Sequence, residues 1–173
     1  MHNVILIGFM GSGKSSIGKL LAEKTQMNFL DTDIVIEKEQ GRSIPDIFAE
    51  SGETYFRNLE TKLLQRLVLE TDNTVIAIGG GMPLREENQI LLHKLGILIY
   101  LEAAKETIIE RLYKDRSRPL LQGGSLEDRI VHLMSLRKHI YEDTSDSIII
   151  TDHKSPEWIC SEIKKVISGE ECI

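Results

Sequence analysis

Two hydrophobic rhythms trade places along this chain. Short apolar runs at residues 3–7, 27–30, 74–78, 97–101 and 148–151 predict five strands. Between them, apolar residues recur at helical spacing. Ile17, Leu20 and Leu21 follow the first run, and Phe56, Leu59, Leu63, Leu64 and Leu67 precede the third. Ile108, Ile109, Leu112 and Tyr113 follow the fourth, then Ile130, Leu133, Met134 and Tyr141, with a last helix over 158–167. Near-continuous apolar runs are strands buried on both faces, and helices between them imply a parallel sheet covered on both sides. The pattern therefore predicts an α/β fold, a three-layer sandwich on a five-stranded parallel sheet with right-handed crossovers. No internal repeat, low-complexity tract or linker interrupts it, so residues 1–173 are expected to form a single domain. Ligands in such sheets sit beyond the carboxyl ends of the strands. Gly8, Asp31 and Gly79 all fall at such ends.

Composition narrows the function. The chain has 21 Lys plus Arg against 27 Asp plus Glu, a formal charge of −6. A general nucleic-acid binder needs a basic surface to displace counterions, so no nucleic-acid partner is expected. No apolar run approaches the roughly 18 residues of a membrane helix, so no membrane association is expected either. The chain opens on a strand-like run without a basic leader, which predicts no secretion signal. Its two cysteines, Cys160 and Cys172, are not in CxxC spacing. They point to a reducing cytoplasm without a disulfide framework, with Cys172 an exposed bystander.

The strongest chemical signal is Gly8-Phe9-Met10-Gly11-Ser12-Gly13-Lys14-Ser15, which fits GxxxxGK[ST] in full between a predicted strand and a predicted helix. Its glycines let backbone N–H groups curl around a phosphate at the positive end of the helix. Lys14 would reach the β and γ phosphates, and the Ser15 hydroxyl would bind Mg²⁺. A kinase with a second substrate and a hydrolytic switch both remain open at this point. The guanine motif NKxD and the switch motif DxxG are absent, which favours a small-molecule kinase.

Other residues supply the remaining parts. Asp31-Thr32-Asp33 closes the second strand, and on an extended chain both carboxylates would face one cleft. One would orient Mg²⁺ through its waters and the other would accept a substrate hydroxyl and its proton. The plainer role for Asp33 is as N-cap of a helix over 34–39. Arg57 and Arg137 lie on predicted helices, where arginine is exposed by default. Converging near the cleft, they would bind a carboxylate bidentately and select an anionic substrate. Arg111, Lys114, Arg116 and Arg118 lead into the Pro- and Gly-containing stretch 115–124, a loop where a closing lid would place a transition-state arginine. Gly79-Gly80-Gly81 reads as a tight turn or as a close backbone approach to ligand. The five histidines show no metal spacing and read as surface or satisfied positions, and Trp158 reads as core.

Taken in order, these residues resemble the shikimate kinase family over nearly the whole chain. The resemblance rests on Gly8 to Ser15, Asp31-Thr32-Asp33, Ser43-Ile44, Ile47-Phe48, Gly52-Glu53, Phe56-Arg57, Glu60, Gly79-Gly80-Gly81, Arg118-Pro119-Leu120-Leu121, and Arg137 with Tyr141. It implies a P-loop kinase architecture with strand order 2-3-1-4-5, a substrate-binding segment about 33–61 and a lid about 112–124. It implies transfer of the ATP γ-phosphate to the 3-hydroxyl of shikimate by a monomeric cytoplasmic enzyme, on the route to aromatic amino acids. Asp33, Lys14 and Arg118 would be catalytic, and Ser15 and Asp31 would serve Mg²⁺. Gly11, Ser12, Gly13, Lys14, Ser15, Ser16, Arg111, Arg118 and Lys154 would hold ATP, with Arg111 stacked on adenine and 152–156 closing its pocket. Asp33, Arg57, Gly79, Gly80, Gly81 and Arg137 would hold shikimate. Ile78 stands where many relatives carry Thr or Ser, which removes a hydroxyl from the Mg²⁺ waters, and Ser145 stands where Ala is frequent. A gluconate kinase, or a nucleotide-binding module without a second substrate, is the alternative.

Overall fold

The structure is a computed structural model and describes residues 2–113 and 125–169. The strands are β1 (Asn3–Ile7), β2 (Asn28–Asp31), β3 (Thr74–Ala77), β4 (Gly96–Glu102) and β5 (Ser147–Ile150). The helices are α1 (Lys14–Thr25), α2 (Thr32–Gln40), α3 (Ile44–Glu70), α4 (Glu86–Leu95), α5 (Lys105–Tyr113), α6 (Leu126–Thr144) and α7 (Pro156–Ser168). All strand pairs are parallel, in the order β2-β3-β1-β4-β5, and Ile5 of β1 lies between Ile76 and Leu98. The predicted sheet is the observed one.

Side-chain alternation along β1 makes the two cores. Val4 and Leu6 pack with Ile17 and Leu21 of α1 and Ile159 and Ile163 of α7. Ile5 and Ile7 point to the other face and pack with Leu64 of α3, Leu92 of α4 and Tyr141 of α6. Every β1 residue is buried, which is why the run from Val4 to Ile7 is apolar throughout and the polar Asn3 needs hydrogen-bond partners. The edge strands depart from that expectation. β5 leaves Ile148 at 44% and Ile150 at 58% exposure, because an edge strand has one neighbour and here one covered face.

Three helices differ from the pattern-based reading. α2 starts at Thr32, not 34, because the Asp31 carboxylate caps it by accepting from the Asp33 and Ile34 N–H groups. α3 starts at Ile44, well before Phe56. Ser43 caps it, and Gly52, at φ 80° and ψ 167°, kinks it and breaks the apolar period. The hydrophobic pattern gives no sign of α4, since that helix buries only Asn88, Leu92 and Leu95. Trp158 is not core: it is 41% exposed at the start of α7, with the Lys154 ammonium 4.7 Å from its ring centroid. All five histidines are exposed. Cys160 is buried and unbridged, and Cys172 lies outside the described residues. Among the described residues no helix is long and apolar enough to cross a membrane.

Asn3 ties the amino ends of the strands together. Its buried side-chain amide donates to the Thr71 and Leu95 carbonyls at 2.8 and 2.9 Å, and its oxygen accepts from the Thr74 N–H at 3.1 Å. Asn3→Ala orphans all three backbone groups. It is expected to lower the unfolding free energy by about 2–4 kcal/mol in urea denaturation, with the carboxyl ends of the strands left intact.

Candidate active site

The turn between β1 and α1 passes through Gly8, Gly11 and Gly13, all at positive φ. A Cβ on Gly8 would stand 2.7 Å from the Leu101 carbonyl oxygen, so the chain can pass there only without a side chain. α1 then opens on Gly13 with no capping side chain. Its first N–H groups are therefore available to an anion at the positive end of the helix. The buried Ser12 hydroxyl has no hydrogen-bond partner among the described residues. Lys14 Nζ donates to the Gly8 and Phe9 carbonyls at 2.9 and 3.0 Å, which folds the side chain over the loop.

This loop floors a cleft of about 450 Å³. Gly11, Ser12, Gly13, Lys14, Ser15, Ser16, Asp31, Asp33, Arg111 and Lys154 all line it. Arg111 Nη1 donates to the Gly11 carbonyl at 2.9 Å, so α5 is pinned to the phosphate loop. In the stretch 152–156, Lys154 and Pro156 reach the cleft. Asp152 faces elsewhere. Its carboxylate accepts from the Ala104 N–H and from the Thr107 hydroxyl at 2.6 Å, holding the start of α5.

The two acidic residues share the cleft, though not because the chain is extended. Asp31 ends β2 and caps α2 through Oδ1, while its Oδ2 accepts from the Ser15 hydroxyl at 2.5 Å. Asp33 sits in the first turn of α2 and lines the cleft from there. Asp33 is thus not the cap. The hydroxyl and carboxylate of Ser15 and Asp31 form an all-oxygen donor pair, the chemistry that suits Mg²⁺. Among the described residues no group of three His, Cys, Asp or Glu could hold a metal. A magnesium ion bound here would take its other ligands from phosphate and water.

A second, smaller pocket of about 70 Å³ adjoins the first, and Met10, Asp33 and Gly80 line both. Its other walls are Ile44, Phe48, Phe56, Arg57, Glu60, Gly79, Gly81 and Arg137. Arg57 and Arg137 are 9% and 5% exposed, so the default expectation of solvated arginines fails for both. Arg57 donates to Glu60 Oε2 and to Glu53 Oε1, each at 2.8 Å, and its guanidinium lies against Gly81, where a Cβ would collide with it. Burial pulls the Arg57 pKa down, and Glu60, then Glu53, more than restore it, so this arginine stays charged. Arg137 packs over the Phe9 ring, with Cζ 5.8 Å from its centroid.

Glu60 belongs to the family pattern, but the sequence assigns it no role. It is fully buried, and its Oε1 has no hydrogen-bond partner among the described residues. Burial pushes its pKa up to about 7, against the pull of Arg57 and with Asp33 adding to the rise. Its place three residues after Arg57, on the same helical face, was the available signal. Ile44 and Phe48 belong to the family pattern within the segment 33–61, but hydrophobic periodicity gives no sign of them, because Gly52 breaks the first half of α3 from the second. Lys114, Arg116 and Arg118 lie outside the described residues, as does most of the stretch 112–124.

The fold and the cleft define a P-loop kinase. Residues 10–168 match the shikimate kinase family model. The shikimate kinase of Persephonella marina is 46% identical, with 94% of this chain and 97% of that protein covered. That of Thermodesulfovibrio yellowstonii is 43% identical, with 95% and 94% covered. Among solved structures, a shikimate kinase from Acinetobacter baumannii in complex with shikimate superposes with a TM-score of 0.94 at 34% identity, covering 100% of this chain and 96% of that one. One from Aquifex aeolicus gives 0.83 at 36% identity, with 96% of each chain covered. This chain belongs to the shikimate kinase family.

Glu60 also predicts a pH dependence of stability. The folded state holds the Glu60 proton more tightly than the unfolded chain, whose glutamate titrates near 4.5. Its contribution is therefore fully present below about pH 4.5 and is lost as pH rises through about 7. Urea titrations across that window should show a steeper loss of stability in the unaltered chain than in Glu60→Gln. Equal slopes would place the proton elsewhere.

Proposed function

We propose that this chain transfers the γ-phosphoryl group of ATP to the 3-hydroxyl of shikimate, giving shikimate 3-phosphate and ADP. The observation that carries this reading is the meeting of two unlike pockets at Asp33 and Gly80. One has a phosphate loop, and the other has two buried arginines. Family membership supports the same acceptor, as does the likeness to the Acinetobacter baumannii enzyme in complex with shikimate.

In this reading the shikimate carboxylate is held by Arg57 and Arg137, whose planar forks suit bidentate binding. Gly79, Gly80 and Gly81 offer backbone contacts to the ring hydroxyls. Asp33 accepts the proton of the 3-hydroxyl as its oxygen bonds to the γ-phosphorus. The bond from phosphorus to the β–γ bridging oxygen breaks, and ADP leaves with that oxygen. Lys14 turns from the Gly8 and Phe9 carbonyls to the transferring group, and Arg118 reaches it from the lid. Gly11, Ser12, Gly13, Ser15 and Ser16 hold the phosphates, and Arg111 and Lys154 flank the nucleoside. Ser15 and Asp31 would hold Mg²⁺, which when bound neutralises charge on the β and γ oxygens. Such a site works by positioning and charge compensation, not covalent chemistry. The two separated cysteines accord with a cytoplasmic enzyme.

An ADP-release assay with shikimate, gluconate and no acceptor tests the reading. ADP release with shikimate alone is expected. Release with gluconate only would identify the other kinase, and release indifferent to acceptor would identify a nucleotide hydrolase. Asp33→Ala is expected to lower kcat by about 10²- to 10⁴-fold while ATP affinity measured by calorimetry changes little. A collapse of ATP affinity would assign Asp33 to the nucleotide instead.

A further inference from the structure

The Gly79-Gly80-Gly81 turn carries no side chain to hold its own position. Glycine backbone is permissive, so a fixed geometry must be imposed from outside. Two buried hydroxyls do this from opposite sides. Thr32 Oγ1, fully buried, accepts from the Gly79 N–H at 3.1 Å and lies 3.4 Å from the Ala77 carbonyl, to which it donates. The Tyr141 hydroxyl, on a side chain 1% exposed, donates to the Gly80 carbonyl at 2.6 Å. The Tyr141 ring is itself held against Tyr100, with centroids 5.3 Å apart.

The location of these two residues gives the contacts their meaning. Thr32 stands between Asp31 and Asp33 at the start of α2. Tyr141 stands one helical turn after Arg137 on α6. Each hydroxyl therefore ties the turn to a helix that carries one of the groups proposed to hold shikimate. On the remaining side the turn lies against the phosphate loop, where a Cβ on Gly80 would stand 3.2 Å from the Gly8 carbonyl oxygen.

We propose that Thr32 and Tyr141 form a hydroxyl clamp: positioning residues that fix the triple-glycine turn between Asp33 and Arg137 and so set the geometry of the acceptor pocket. The proposal rests on the shikimate kinase reading above. Neither hydroxyl lines the nucleotide cleft, whose phosphate-binding groups lie on the loop after β1 and on α1, so the clamp acts more on the acceptor than on ATP. Because both pins hold one turn, releasing either frees much of what the other secures, and their effects are not additive.

Steady-state kinetics of Thr32→Val, Tyr141→Phe, the double variant and Thr32→Ser test this, with urea unfolding of each. Thr32→Val and Tyr141→Phe are each expected to lower kcat/KM for shikimate by about tenfold, the scale of one buried backbone group left unpaired. The KM for ATP should stay within about twofold. Thr32→Ser, which keeps the hydroxyl, should restore the unaltered kcat/KM. The double variant should lose less than the product of the two single losses. Well-folded single variants with full kcat/KM would overturn the clamp. So would shikimate and ATP parameters that fall together with the unfolding midpoint, as a purely structural role requires. If Thr32→Val does not fold, Tyr141→Phe decides alone, since it removes only one oxygen. Failure of the unaltered chain to phosphorylate shikimate would overturn the reading beneath the clamp, and the clamp with it.

Discussion

The cleft depends on one constraint: β1 lies between β3 and β4 in a sheet whose strands all run the same way. Parallel strands bring their carboxyl ends to one edge, and the order decides which ends are neighbours. With β1 beside β3, the phosphate loop that follows Ile7 and the glycine turn that follows Ala77 must lie side by side. With β2 beside β3, Asp31 pairs with Ala77 in register, and Asp33 is delivered to the same edge. A sheet of the same strands in another order would retain the nucleotide loop and lose the second pocket.

Charge is the second organising influence. The chain as a whole is acidic, yet two arginines are buried at one pocket. Taking guanidinium groups out of water is costly unless partners are supplied. Arg57 has them in Glu53 and Glu60, and the burial that Glu60 shares with it raises the proton affinity of that carboxyl. A desolvated, paired arginine is fixed in space before any ligand arrives, which is the condition for recognising a carboxylate by geometry. The negative charge that dominates the composition lies largely on solvated helix faces, where it has little effect on this pocket.

Much of this is legible in the sequence, and the failures have physical causes. The phosphate loop can be read because each of its positions meets a separate backbone or chemical requirement. The central strands can be read because burial on two faces leaves polar residues only at their ends, such as Asn3, Thr74 and Glu102. Arg57 and Arg137 can be named as candidates, but their burial cannot be seen. An arginine on a leucine-striped helix looks solvated until the facing turn is known to lack side chains, as Gly81 does. The sequence puts Asp33 in the right neighbourhood for a wrong reason, since Asp33 projects from the first turn of α2 and not from an extended chain. The kink at Gly52 hides the first half of α3 from the hydrophobic pattern, so Ile44 and Phe48 are legible only through the family resemblance. Trp158 is misplaced because an aromatic residue in the first turn of a helix can be covered by a lysine stem as well as by a core. Thr32 looks like mere filler within an acidic pair, although its hydroxyl bridges two strand ends.

Two pockets meet at Asp33 and Gly80 because the sheet order forces them together, and the proposal seats the nucleotide in one and the acceptor in the other. A crystal structure with shikimate and a non-hydrolysable ATP analogue bound together tests it most directly. The shikimate carboxylate is expected between Arg57 and Arg137. The 3-hydroxyl is expected within hydrogen-bond distance of Asp33 and in line with the γ-phosphorus over Lys14. A shikimate carboxylate bound away from both arginines, or a 3-hydroxyl turned from Asp33, would contradict the proposal.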